Sequence, residues 1–495
     1  MLREIRKILI ANRGEIAVRV IRAAKELGIK TVAIYSQADV NSLHRYLADE
    51  SCLLDGQEAK ETYLNIDKIL SVAKKFSVDA IHPGYGFLSQ NPSFVRRVEE
   101  EGFLFIGPPA RIHELAGNKV QARKVVKENG YPIVKGLLEP ILDVETAVDE
   151  AGKIGYPVII KPMLGGGGVG MKVCEDEEEL RSSFNLLQKL SSSAFGHSEM
   201  YIEKYYPDAR HIEVQILSPV KGKTIHLYER ECSVQRRFQK VVEEAPSPAL
   251  DEETREKLVE TAVGIADCMG YVNAGTIEFI YVPSEGNFYF IELNSRIQVE
   301  HPVTEAVTLI DIVKEQIWIA ETGYPSVSQE DVKIRGHAIE ARIYAEDPTR
   351  GFMPAPGKIT TFLPPAGPWV RVDTACYSGY EIPPFYDPMI AKLVVWGRDR
   401  REAINRLRRS LHEFVVTGVS TNIPLHLAIL DDRDFQKGDY DTRFIVKKNI
   451  LEKTKQYLKQ HKFPVSVETG KEVEKERIPV ANAWKLSSRI LEAGL

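Results

Sequence analysis

The chain reads as an α/β protein, α+β overall, that opens on a parallel sheet of Rossmann type and closes on a mainly β portion. Three observations predict this. Residues 1 to 115 alternate short apolar strands with amphipathic helices, residues 275 to 293 hold two aromatic-rich alternating runs around a turn, and residues from about 330 to 450 give strand-like pieces with helices late. A length of 495 residues allows about three domains of roughly 150 residues. A net charge of −5 and a pI near 6.2 supply no basic field for nucleic acid. Cys52, Cys174, Cys232, Cys268 and Cys376 are scattered without metal-type spacing and read as reduced residues of a cytoplasmic protein. The run ILIA near the N-terminus is too short for a signal peptide, and no apolar run is long enough to span a bilayer.

In the first portion KILIAN, TVAIYS, DAIHPGY and FLFIG read as strands, with helices through EIAVRVIRAAKELG, near YLNIDKILSVAKKF and over FVRRVEEEG. Gly14 lies at a strand-to-helix turn, which suits an anion or a plain turn equally well. HPGYGFLS (82 to 89) follows a strand at its carboxyl end, where open α/β sheets bind ligands.

The second portion turns on YPVIIKPMLGGGGVGMKV (156 to 173), where a strand ending at Lys161 runs into four glycines and a second strand follows. Glycines there allow successive backbone amides to approach an anion such as phosphate. The lysine precedes the glycines, so this is not a Walker loop. MYIEKYY ends a strand with Glu203 and Lys204, and RHIEVQIL carries His211, whose plain reading is a satisfied structural histidine. Gln235, Arg236, Arg237, Gln239 and Lys240 crowd a short run whose plain reading is a solvated basic patch.

IELNSRIQVEHPVTE (291 to 305) concentrates polar groups behind an apolar strand. A hairpin between GTIEFIYV and NFYFIEL, centred near Glu285, sets Phe288 opposite Val282, Phe290 opposite Ile280 and Glu292 opposite Glu278. Carboxylates facing one another across a sheet destabilise it unless a cation joins them. A divalent metal is the economical cation, with Asn294 completing an oxygen shell suited to Mg²⁺ between nucleotide phosphates. In the third portion GHAIEARIYAED, GKITTFL and WVRVDTACY read as strands and RREAINRLRRSLHEF as a helix, with Arg342 beside Glu340 as a plain ion pair. From about residue 452 the chain is mixed in charge and poor in large apolar residues up to ANAWKLSSRILEAGL, and reads as a flexible linker ending in a short helix that docks on a partner.

NRGEIAVRVIRAAKELG, IHPGYGFLS, GYPVIIKPMLGGGGVGM, QKVVEEAPSP, FIELNSRIQVEHPVTE and PPFYDPMIAKL together resemble biotin carboxylase, an ATP-grasp ligase, over about residues 3 to 450. The resemblance implies an N-terminal domain at 1–115, an ATP-grasp domain at 116–330 with a mobile lid near 135–205, a C-terminal domain at 331–450 and a charged tail at 451–495. It assigns ATP phosphates to Lys119, Lys161 and the loop Gly165, Gly166, Gly167 and Gly168, and the adenine side to Glu203, Lys204 and Tyr206, with His211 and Gln235 also on the nucleotide. Mg²⁺ or Mn²⁺ falls to Glu278, Glu292 and Asn294. Bicarbonate and biotin fall to Lys240, Arg296, Gln298, the Val299 backbone and Tyr85, with Glu300 as general base and Arg342 steadying the biotin enolate. Val169, Phe238 and Gln90 depart from the commonest bacterial form, where arginine, histidine and glutamate stand.

No carrier-type AMKM motif is present, so the resemblance implies separate biotin carboxyl carrier protein and carboxyltransferase subunits and a homodimer. The acceptor is open among acetyl-CoA, propionyl-CoA and pyruvate. Another ATP-grasp carboxylate ligase and a non-catalytic nucleotide-binding scaffold are the alternatives, the latter opposed by intact Lys240, Arg296, Glu300 and Arg342.

Overall fold

The computed structural model describes residues 4–162, 171–195 and 198–460. Strands Lys7–Ile10 (β1), Lys30–Ser36 (β2), Glu50–Leu54 (β3), Ala80–His82 (β4) and Leu104–Phe105 (β5) form a parallel sheet in the order β3-β2-β1-β4-β5. Chain order reverses between β1 and β4, where such sheets open a ligand crevice. The two loops at that point are tied together. Asn12 Nδ2 donates to the carbonyls of Pro83 at 2.6 Å and Tyr85 at 2.8 Å. Gly84 sits against it with φ +61°, and a Cβ there would lie 2.9 Å from the Asn12 amide nitrogen, so only glycine fits. Helix α1 (Gly14–Glu26) buries Ile16, Ala17, Val20 and Ile21. Its first turn holds the buried Glu15, which accepts from the Tyr85 hydroxyl and lies 3.2 Å from Lys392. The edge strand β3 was not expected, because ESCLL shows no alternation of polar and apolar residues.

Strands Val158–Pro162 (β6), Lys172–Cys174 (β7) and Met200–Lys204 (β8) make a small antiparallel sheet in the order β7-β6-β8. Helices Val144–Ile154 and Glu177–Phe195 pack on it through Ala147, Ala151, Leu180 and Phe184. The first of them is capped by Asp143, which accepts from Thr146 N at 2.9 Å.

The platform of the molecule is an antiparallel eight-stranded sheet. It comprises Arg210–Ser218 (β9), Ile225–Arg236 (β10), Gln239–Ala245 (β11), Asn273–Val282 (β12), Asn287–Asn294 (β13), His337–Tyr344 (β14) and the strands Val370–Thr374 and Met389–Gly397. β11 pairs with β14, so the strands of the third portion continue the sheet of the second. The hairpin β12–β13 corrects the expected register at its tip. Phe288 faces Tyr281 and Phe290 faces Phe279, one residue from expectation; a bulge then shifts the ladder and brings Glu292 opposite Glu278.

Arg342 also departs from expectation. It pairs with Glu243 and Glu300, whereas neither oxygen of Glu340 has a hydrogen-bond partner among the described residues. Residues Ile450–Gln460, read as the start of a flexible tail, form a helix that lays Leu451 and Tyr457 on the core. The rest of that tail lies outside the described residues, as do Gly165 to Gly168 and Val169. No helix among the described residues is long and apolar enough to cross a membrane.

Candidate active site

A cavity of about 700 Å³ lies over one end of the large sheet. Its floor is lined from β9 to β14 by His211, Gln235, Lys240, Glu278, Glu292 and Arg342; Gly86 and Gln90 line it from the loop after β4, Ile159, Lys161 and Glu203 from the small sheet, and Met171 from just before β7.

The floor carries a row of carboxylates on neighbouring strands, because Glu292 pairs with Glu278 and Glu278 with Glu213 in register. Such a row needs positive charge. Lys240 supplies most of it: its Nζ donates to Glu213 at 2.6 Å, Glu278 at 3.1 Å and Glu300 at 2.6 Å. Burial alone would drive the Lys240 proton off, but Cys232 and these three carboxylates hold the ammonium well above the ordinary lysine range. Arg230 underpins the row, giving Nε to Glu213 at 2.5 Å. His211 Nε2 lies 2.8 Å from Glu278, and Gln235 Nε2 lies 2.7 Å from His211 Nδ1, so the histidine is fixed from both sides. Asn294 Nδ2 reaches Glu278 at 2.9 Å and Glu292 at 3.3 Å. Turned about its terminal bond, that amide offers oxygen to the same spot. Two facing carboxylates with an amide beside them form a hard oxygen set suited to Mg²⁺ or Mn²⁺.

The segment after β13 folds over the far end of the row. Arg296 donates to Gln90 Oε1 at 2.7 Å and Gln298 Oε1 at 2.8 Å, which fastens the loop after β4 to this segment. Glu300 is fully buried between Lys240 and Arg342 Nη2, the latter at 2.9 Å. Burial pushes its carboxyl up, yet Lys240, Arg342 and Arg230 pull it well below the usual carboxylate range, leaving an ionised proton acceptor. The Val299 carbonyl accepts from Lys392 at 2.8 Å, a buried lysine in an apolar strand, so the backbone of the segment is held from beneath.

At the other end Lys119 lies 3.0 Å from Glu292, and Lys161 is paired with Glu203, which also holds Arg123. Burial opposes the charge of both lysines, but Glu292 and Glu203 raise them above the ordinary range. Lys204 is turned to the carbonyls of Gly155 and Tyr156. Tyr206 stacks on Tyr289 with centroids 5.7 Å apart. Phe238, with φ +66°, stands at the tip of the turn between β10 and β11 and lines the cavity. Tyr85, beside Gly86, gives its hydroxyl to Glu15.

Three family descriptions match consecutive stretches: the N-terminal domain of biotin carboxylase over residues 4–112, the ATP-binding domain of the carbamoyl-phosphate synthase L chain over 118–325, and the C-terminal domain of biotin carboxylase over 340–447. Biotin carboxylase 1 of Bacillus subtilis is 52% identical over 447 residues, 90% of this chain and 99% of that one. The chain belongs to the biotin carboxylase family. A second relative, a pyruvate carboxylase subunit from Methanothermobacter thermautotrophicus, is 50% identical over 89% of either chain. Among solved structures, a biotin carboxylase complex with β,γ-ATP from Campylobacter jejuni matches with a TM-score of 0.87 at 45% identity, over 90% of this chain and 99% of that chain. The biotin carboxylase domain dimer of the Hydrogenobacter thermophilus 2-oxoglutarate carboxylase, solved with MgADP, ADP and bicarbonate, matches with a TM-score of 0.88 at 46% identity, over 91% and 99%.

Sequence reasoning missed Glu213, Arg230, Glu243, Arg123 and Lys392, all charged residues inside strands or helices. One signal was available: Glu213 stands two residues from His211 on an alternating strand, and therefore on the same sheet face.

Proposed function

We propose that this cavity carboxylates biotin in an ATP- and bicarbonate-dependent reaction, with the biotin borne on a separate carrier protein. The observation that carries the reading is the position of Lys240, whose single ammonium joins the metal-type carboxylate Glu278 to the base Glu300. Lys240 and Arg296 hold bicarbonate in place of the carboxylate contacts that Lys240 makes here. Glu300 takes the bicarbonate proton, and the freed oxygen attacks the γ-phosphorus of ATP as the bond to ADP breaks. Lys119 and Lys161 draw the phosphates down, while Glu278, Glu292 and Asn294 would hold a divalent ion, whose chemistry would be to neutralise charge on the transferred group. The carboxyphosphate formed breaks to CO₂ and phosphate, phosphate takes the ureido N1′ proton of biotin, and Arg342 stabilises the enolate oxygen while N1′ bonds to CO₂.

The domains fall at 1–115, 116–330, 331–450 and 451–495 in this reading. The chain works as a homodimer in the cytoplasm with carrier and carboxyltransferase subunits. Relatives named for pyruvate and propionyl-CoA carboxylases support such an assembly. The test is ATP cleavage by the purified chain: it should require bicarbonate and be accelerated by free biotin. Cleavage indifferent to both would overturn the reading.

A further inference from the structure

Behind Arg342 lies an acidic pair that the steps above leave unused. Glu243 of β11 and Glu340 of β14 are direct register partners in the antiparallel ladder, so both side chains leave the same sheet face. Both residues have 0% exposure. One oxygen of Glu243 accepts from Arg342 Nε at 2.6 Å; its other oxygen and both oxygens of Glu340 have no hydrogen-bond partner among the described residues. The next pair on the same face of the ladder is Ala245 with Ala338, and it belongs to an apolar cluster with Val303, Val307 and Val394. Two ionised carboxylates facing one another in so dry a place would repel with nothing between them, whereas one proton lets an O–H of one donate to the oxygen of the other.

We propose that Glu243 and Glu340 hold one proton between them, and that this singly charged pair is the positioning device that keeps Arg342 forward, in contact with Glu300 and the cavity. The groups facing the pair fit this. Arg342 lies on the same strand as Glu340, Lys392 stands opposite Arg342 on the strand Met389–Gly397 and acts on Glu340 from the diagonal, and Lys240 and Glu300 act on the pair from the cavity side. The helix His301–Thr308, packed against β14, offers His301 and Glu305, but the ring is turned to the Gln298 carbonyl and the carboxylate to Arg19 and Arg371. On the other side Arg400 and His337 serve Glu244, and His426 serves the Arg342 carbonyl. Burial raises both members, Glu340 well above the carboxyl range despite Lys392 and Glu243 up to about 7 despite Arg342. Loss of the shared proton places a second negative charge behind the guanidinium and draws it back from Glu300.

This inference rests on Arg342 acting on biotin as proposed above, and the experiment separates the two. Biotin-stimulated ATP cleavage is measured on the full chain from about pH 6 to about pH 9 for the wild type, Glu340→Gln, Glu340→Met and Arg342→Lys. Neither Gln nor Met can ionise, so both variants should retain the wild-type rate within about twofold at neutral pH and keep roughly tenfold more of it at the alkaline end. The thermal midpoint gives a second readout: the wild type should lose stability as pH rises toward the pair's ionisation, and Glu340→Gln should lose less. An alkaline limb and a pH–stability curve unchanged in both folded variants overturn the shared proton; Glu340→Met decides if Glu340→Gln does not fold. If neither folds, an alkaline limb absent from the wild type also overturns it, and a limb present there together with the wild-type fall in stability supports it. Arg342→Lys marks the reading itself. If that variant keeps the biotin-stimulated rate, the role given to Arg342 fails whatever Glu340 does.

Discussion

Replacing Glu300 by Gln isolates proton transfer, because the substitution keeps the shape of a side chain fixed on two sides. Glu300 accepts from Lys240 at 2.6 Å and from Arg342 at 2.9 Å. A glutamine has one oxygen and one NH₂ for these two donors, so one cation keeps its acceptor and the other meets an N–H. Hydrogen bonds to charged groups are worth about 1.5 to 3 kcal/mol, and one of the two is lost, so the folded chain should lose stability of about that size. The rate should suffer more. General-base removal costs about 10² to 10⁴, or roughly 2.7 to 5.5 kcal/mol of barrier. Bicarbonate-dependent ATP cleavage with biotin present is the assay, beside a titration with a non-hydrolysable ATP analogue that should still bind. A fall in turnover of less than about tenfold at preserved nucleotide affinity would refute the assignment and send the search for the base elsewhere. The wild type should show no acidic limb from this group near neutrality, since its carboxyl is held well below the usual range.

Glu292→Gln should weaken metal-dependent turnover far more than folding, because it removes an oxygen donor and also relieves carboxylate repulsion in the hairpin; normal activity across a Mg²⁺ titration would refute it. Glu203→Gln leaves Arg123 and Lys161 buried with a neutral partner, and should destabilise the chain by about 3 to 5 kcal/mol in denaturant unfolding, with a loss under about 1 kcal/mol counting against the ion pair. Burial depresses His82 to about 3 and His44, His113 and His426 to about 4. The unfolded chain then takes up protons first, so stability is present above about pH 6.5 and lost as pH falls below it, by up to about 1.4 kcal/mol per pH unit for each histidine. Urea midpoints that stay level between about pH 7 and about pH 5 would contradict this.

Alternation of apolar residues was enough to read four of the five strands of the N-terminal parallel sheet, the glycine-loop strands and the β12–β13 hairpin. What it could not carry was the bulge. Phe290 and Ile291 are adjacent and both apolar, a break in period two that marks an extra residue, and the strict pattern passes over it. The expected opposition of Glu278 and Glu292 survived because the bulge lies between them and the tip. Glu213, Arg230, Glu243 and Lys392 were illegible for a different reason: a charged residue in a strand reads as an outward, solvated position, whereas here Lys392 reaches the Val299 carbonyl, Arg230 reaches Thr304, and Lys240 and Arg342 pair with Glu213 and Glu243, all inside the fold. The partner of Arg342 was misread because sequence proximity favoured Glu340, whereas the neighbouring strand brings Glu243 closer to the guanidinium.

The pairing of β11 with β14 decides where this molecule can be taken apart. A truncation near residue 330 would strip β11 of its neighbour and leave a row of unpaired N–H and C=O groups, the kind of edge that recruits other chains into aggregates. It would also remove Arg342 from the cavity while leaving Glu300 and Lys240 behind. Chimeras with a relative are therefore better joined just before residue 135 and after β8, because residues 135 to 141 bond to the free edge of β8; the small sheet is then exchanged with that strip and the eight-stranded platform stays a single piece.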